Sequence, residues 1–166
     1  MAVDSFAFLP RSFVPLYDAA PHWDHDPVWA ELATPIEEAT VGLLTSAGIF
    51  TPASQRPFDV EREKREPTWG DPTLRVIPHD IDQEDIDATH LHINTGDILV
   101  DINVALPIDR LDELVTDGVV GRPATEHYSV MGYQQDGADV WRTDTGPEIA
   151  ARCRAADIDA LILAPA

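Results

Sequence analysis

The chain reads as a three-layer α/β domain built on a mainly parallel sheet, and three features of its sequence say so. The aliphatic, β-branched run "ATVGLLTSAG", Ala39 to Gly48, breaks at a glycine, as a buried strand does on reaching a loop. In "INVALPIDRLDELVTDGVVG" an extended approach turns into an amphipathic helix at a proline. Close to the last residue, a second proline-opened helix feeds the apolar run Leu161, Ile162 and Leu163. Apolar strands that alternate with helices pair in parallel, because the helix carries the chain back to the end from which the strand began.

Residues 1–35 are rich in proline and aromatics ("FLPRSFVPLYDAAPHWDHDPVW") and show no sustained period. They predict an irregular arm packed on the domain or on a partner, with the α/β domain over 36–166. After the first strand, "RPFDVEREKREPTWGDPT" is charged and proline-bounded and predicts a long exposed loop. "LRVIP", Leu74 to Pro78, is a short second strand. "THLHIN" alternates in the manner of a strand, with Thr89, Leu91 and Ile93 on one face and His90, His92 and Asn94 on the other. Ile102, Val104 and Leu106 form a strand face or an extended approach, and Pro107 marks the helix start. Ile108, Leu111, Leu114 and Val115 then fall at helical spacing until Gly118 stops the helix. Pro147 opens the next helix with Glu148 in its favourable first turn, and Ile149, Cys153 and Ala156 share one stripe. "LILAPA" is a central or edge strand. A sheet that stopped there would be incomplete at its C-terminal edge, and an open edge invites a partner or a second copy.

Thirty acidic residues against eleven basic ones give a formal charge of −19. Such a surface repels phosphate, which argues against nucleic acid or an anionic membrane as partner. The single Cys153 excludes an internal disulfide and a zinc site made of this chain's cysteines, and fits a reducing compartment. The start, "MAVDSFAFLPRSF", has no basic cluster ahead of an apolar run, so it does not read as a secretory signal. The longest apolar stretch, "ATVGLLTSAGIF", is too short and polar to span a bilayer. The expectation is a soluble, cytoplasmic protein.

Neither phosphate-binding glycine motif occurs, and no G-x-S-x-G offers a serine nucleophile. "HWDHD", His22 to Asp26, has imidazoles and carboxylates enough to begin a metal site but lacks two further ligands at a defined spacing, so no metal is assigned. His90 and His92, two apart, either converge on one substrate or ion or cap a sheet edge, with Asp97 and Asp101 close in sequence. Asp101 and Asn103 either bind a ligand or satisfy loop amides. Arg110 sits in a first helical turn, where the dipole favours anions, so it wants a carboxylate from a ligand or from a neighbouring acid. Cys153, on an apolar stripe, reads as a packing residue.

At "TSAGIF", "RPFD", "GDPTLRVIPHDI", "THLHI", "DINVALPIDRLDELVTDGVVG" and "HYSVMGY", the chain resembles the selenoprotein B family of glycine, sarcosine and betaine reductases and of D-proline reductase. The resemblance runs from about Thr40 to the last residue, and "DINVALPIDRL" is its most specific part. It implies reductive cleavage of a carbon–nitrogen bond in a small amino-acid-like substrate, with a dithiol as donor. It also implies a redox loop, bearing selenocysteine or cysteine, after the strand matching "DALILAPA", which places the catalytic residue just past Ala166. No cofactor is implied in this chain; a pyruvoyl group on a partner subunit would activate the substrate. Two accounts of the missing loop are open: a frame ended at a UGA codon read as selenocysteine, or a shortened, non-redox binding or scaffold module. A third reading, from the residues alone, is a metal-dependent hydrolase using His90, His92 and nearby acids.

Overall fold

The computed structural model describes residues 11–13, 15, 30–134 and 138–166. The chain divides into two units, Met1–Glu31 and Leu32–Ala166. Of the first, a 3₁₀ turn at Arg11–Phe13 is described; most of the predicted arm, including "HWDHD", lies outside the described residues.

The second unit is organised around β1 (Thr40–Thr45), whose six residues carry no charge and are almost wholly buried, as expected of a strand covered on both faces. One edge of β1 pairs in parallel with β7 (Ala160–Ala164), from Val41 opposite Ala160 to Thr45 opposite Ala164. Its other edge pairs in parallel with two short strands in succession, β5 (Arg122–Pro123) and then β6 (Glu126–Ser129). β3 (Arg75–Pro78) runs antiparallel to β6. A separate ribbon pairs β2 (Ile49–Phe50) with β4 (Asp87–Ala88). The predicted α/β architecture with a mainly parallel sheet is therefore present.

Alternation along β1 sorts the core into two layers. Val41 and Leu43 pack with Ile98 of α2 (Thr95–Val100) and with Ile108 and Leu111 of α3 (Ile108–Thr116). Leu44 joins Tyr128 and Val130 against Ile149 and Cys153 of α4 (Gly146–Ala155). α3 follows its predicted stripe except at Leu114, which is exposed, and it ends where Gly118 takes φ 71°. Pro147 lies in the first turn of α4 as predicted, but a short helical turn (Ala138–Val140) and a π-helical turn (Trp141–Thr145) precede it, and no sequence pattern announced them.

Three local expectations are corrected. The charged segment after β2 is not an exposed loop: it contains α1 (Val60–Arg65), capped by Asp59, whose carboxylate accepts the Arg62 N–H at 2.9 Å. Its charges pair along the helix, Lys64 with Glu61 and Arg62 with Glu66, while Phe58 and Glu63 turn inward. "THLHIN" is not a strand beyond Ala88. His90 Nδ1 accepts the His92 N–H at 3.0 Å and Asn94 caps α2, so local side-chain bonds displace the ladder. Ile102–Val104 forms a 3₁₀ turn, with Asp101 accepting the Asn103 N–H, rather than a strand. β7 is an edge strand among the described residues, and Leu163 on it is 65% exposed. No described helix is long and apolar enough to cross a membrane.

Candidate functional site

The parallel strands β1, β6 and β7 end on the same side, and their ends are tied together through Ser46. Ser46 N–H donates to the Ala164 carbonyl, its hydroxyl oxygen accepts the Ala166 N–H at 2.8 Å, and its carbonyl accepts the Gly132 N–H at 3.0 Å. In open α/β sheets this end is where ligands bind. Gly48, at φ 69°, then donates to the Val130 carbonyl and accepts the Thr89 N–H, which draws the segment around His90 alongside.

Five side chains from distant segments gather beside this end. His92 packs against Tyr133, ring centroids 4.8 Å apart, and edge-on against His90 at 5.8 Å. Tyr133 donates its hydroxyl to the Pro67 carbonyl at 2.7 Å, just past α1. Gln134 donates to the carbonyls of Asp71 and Met131. Glu63 accepts the Asp71 N–H at 3.1 Å through Oε1. Three buried polar atoms of this group have no hydrogen-bond partner among the described residues: Glu63 Oε2, Gln134 Oε1 and His90 Nε2. Because His90 Nδ1 accepts a backbone N–H, the neutral ring carries its proton on Nε2. The group therefore offers one donor and two acceptors.

Electrostatics keeps the ring neutral and the acid weak. Burial, and then the neighbouring His92, lower the His90 pKa. Burial raises that of Glu63, against the stabilising Asp71 N–H bond. A groove of about 1030 Å³ runs past Phe58, Leu74, Arg75 and the start of α4, and both Asp71 and Thr89 line it, so it adjoins this group. Arg75 in its wall lies over the Phe58 ring at 4.2 Å and donates to the carbonyls of Arg56, Pro57 and Leu74, which marks it as a structural clamp.

Of the residues singled out in the sequence, His90 and His92 come together here. Asp101 and Asn103 form a different cluster. Asn103 donates to Asp101 and to Asp109 Oδ2 at 2.8 Å and accepts the Asp109 N–H, which secures the start of α3. The hydrogen bonds from Asn103 hold the Asp101 pKa low. Arg110 finds its carboxylate in Glu113 at 2.9 Å, both exposed. Glu63, Tyr133 and Gln134 escaped the sequence reading; the only signal for Glu63 was Asp59 as a helix cap ahead of a segment with acidic residues early and basic residues late. Among the described residues no three His, Cys, Asp or Glu side chains converge on a metal-sized centre.

Cys153 is half-buried on the α4 face, and burial raises its pKa. Cys153→Ala is expected to cost about 1 kcal/mol, measured by urea unfolding, and the folded thiol should alkylate slowly at neutral pH. Rapid alkylation of the native protein would contradict a packing role.

Comparison with known proteins bears on what such a site serves. Residues 21–166 match the family described as glycine/sarcosine/betaine reductase selenoprotein B. The chain is also 32% identical over 137 residues to the D-proline reductase subunit gamma of Acetoanaerobium sticklandii, an alignment covering 82% of this chain and 52% of that protein. The chain thus spans about half the length of the curated relative it matches. No solved structure matches it significantly.

Proposed function

Since the chain belongs to the glycine/sarcosine/betaine reductase selenoprotein B family, we propose that it works as a subunit, or the N-terminal portion of one, in reductive carbon–nitrogen cleavage of glycine, sarcosine, betaine or D-proline by a dithiol donor. The family match over residues 21–166 carries this reading. The relative's description as one subunit of a reductase supports a partner subunit. In this proposal the partner bears a pyruvoyl group, which activates the substrate amine. A reducing, cytoplasmic setting fits a chain whose single thiol is half-buried.

In this proposal the chain's own side chains do the binding and orienting. Glu63 Oε2 and Gln134 Oε1 accept from the substrate nitrogen, and His90 Nε2–H donates to the substrate carboxylate. The low basicity of His90 keeps Nδ1 free to accept the His92 N–H at neutral pH, and that bond holds the ring as the Nε2–H tautomer. Two acceptors suit the free substrate amine before the pyruvoyl group engages it, so glycine, sarcosine or D-proline is favoured over betaine, whose quaternary nitrogen bears no hydrogen. None of these side chains is a redox nucleophile, and Cys153 lies on the α4 face of the sheet. The family resemblance implies that the redox selenocysteine or cysteine follows the strand that leads to Ala166, and the proposal places it there, next to Ser46.

The test is reconstitution of the full gene product with a pyruvoyl-bearing reductase subunit and dithiothreitol, assaying each of the four substrates for released or ring-opened amine. Turnover of a substrate bearing an N–H is expected. Absence of both complex formation and turnover would overturn the proposal. Within an active complex, His90→Phe should lower kcat/KM by about 10- to 100-fold, the cost of losing one hydrogen bond to a charged group, while leaving the unfolding midpoint nearly unchanged. An unaltered kcat/KM would remove His90 from the site.

A further inference from the structure

His127 is fully buried on β6, and its ring completes the sheet in place of a peptide carbonyl. Along the β5/β6 edge of β1 the Arg122 N–H donates to the Ala39 carbonyl and the Ala124 N–H to that of Val41; β6 then pairs with β1 from Leu44 opposite Tyr128, and the Val130 N–H reaches the Thr45 carbonyl. Between them the chain turns aside at Thr125, whose carbonyl accepts the His79 N–H at 3.0 Å. The Leu43 N–H meets His127 Nδ1 instead, at 3.1 Å. A buried backbone N–H without an acceptor is rare and costly, so the imidazole is a working part of the ladder.

That bond fixes the direction of a longer chain. A backbone N–H can only donate, so Nδ1 of His127 accepts and its proton is on Nε2. Nε2–H then donates to His79 Nδ1 at 2.9 Å, which puts the His79 proton on its own Nε2, donating to Asp112 on α3 at 3.1 Å. With both rings neutral, this is the arrangement in which no two donors or two acceptors face each other. A second proton on either ring turns an acceptor into a donor aimed at another N–H.

We propose that Asp112, His79 and His127 form an acid-sensitive latch that holds β6 to β1 at neutral pH and releases this seam, together with the Tyr133–Gln134 wall of the site, when the His127 ring takes up a proton. The groups facing His127 support this. His79 reaches it directly and Asp112 only through His79. β1 has no ionisable side chain, and Glu126 of β6 is bonded elsewhere, to the Tyr128 hydroxyl and Arg152 of α4. Among the described residues no carboxylate bonds His127 itself to stabilise a charged ring. Burial, and then His79, hold its pKa down at about 4. Leu43, whose N–H the latch holds, lies two residues before Thr45 and five before Gly48, so release loosens the backbone that shapes the site. The inference does not rest on the reductase reading.

The test uses the full 166-residue chain, labelled with nitrogen-15, with imidazole spectra and amide hydrogen exchange recorded against pH. His127 should be the Nε2–H tautomer near neutral pH. Protection of the Leu43 and Val130 amides, corrected for intrinsic exchange, should fall about 20-fold between about pH 7 and about pH 5, the ratio expected when an opened ring titrates normally and the closed one does not. His127→Asn keeps an acceptor for Leu43 and cannot titrate, so its protection should change by less than about twofold over that range, on the same linkage. An Nδ1–H tautomer in the wild type, or an equal fall in His127→Asn, overturns the latch. If the variant does not fold, the wild-type titration decides, and a His127 that titrates at its ordinary value with the Leu43 amide unmoved overturns it as well.

Discussion

His127→Ala is expected to destabilise the domain by about 3–5 kcal/mol near neutral pH, and the loss should shrink as pH falls. The variant strands the Leu43 N–H inside the sheet, removes the donor to His79 and leaves a cavity at a fully buried position. A stranded buried donor alone costs about 1–3 kcal/mol, and loss of the ring's packing adds to it. The pH dependence has a definite sign. His127 is lowered from 6.5 to about 4, so the unfolded chain binds the proton more readily than the native one. Its stabilising contribution is fully present above 6.5 and is lost as pH falls toward 4, by roughly 3 kcal/mol in all. Glu63, raised by burial, acts in the opposite sense, stabilising more as pH falls through its folded value toward 4.5. It is present in both proteins and cancels in their comparison. Urea unfolding of wild type and variant at several pH values measures the difference directly. A difference independent of pH would mean that His127 does not titrate with folding.

Gly48→Ala should cost about as much, roughly 3–5 kcal/mol, by another route. Gly48 takes φ 69°, where an L side chain is strained, and a Cβ there would sit 2.2 Å from the Thr89 carbonyl oxygen. The backbone cannot move away cheaply, because Gly48 donates to Val130 and accepts from Thr89. Relief of the clash would break one of those bonds and shift His90, so a residual folded population should also show a displaced His90 signal. Thermal unfolding and imidazole NMR check both effects. A variant with wild-type midpoint and spectra would show that the turn after β1 is not held as described.

What could be read in the sequence was whatever has a local period or a local stop. β1 shows as an uncharged apolar run, α3 as a stripe ended by Gly118, and α4 as a helix opened by Pro147. Burial on one face repeats every two or every three to four residues, so it leaves a pattern in a single stretch of chain. The family resemblance was legible too, in "DINVALPIDRL" and its neighbours, and the match over residues 21–166 bears it out. α1 was missed because its charged residues read as solvated, although they pair with one another along the helix and leave Glu63 to face inward.

The site and the latch were decided by tertiary structure. His127 completes the ladder of Leu43, 84 positions away in sequence, and Tyr133 reaches Pro67 across 66. Nothing in "HYSVMGY" or "THLHIN" marks which histidine will be buried and which will keep a ring on Tyr133. Sequence separated these histidines from Asp101, Asn103 and Arg110 no better, since all five are polar residues within one resembling stretch. The fold divided them, placing His90 and His92 beside the strand ends and committing Asn103 and Arg110 to partners along α3. A hydrogen bond between distant segments has no periodic trace, because its geometry exists only once the strands between them have been paired.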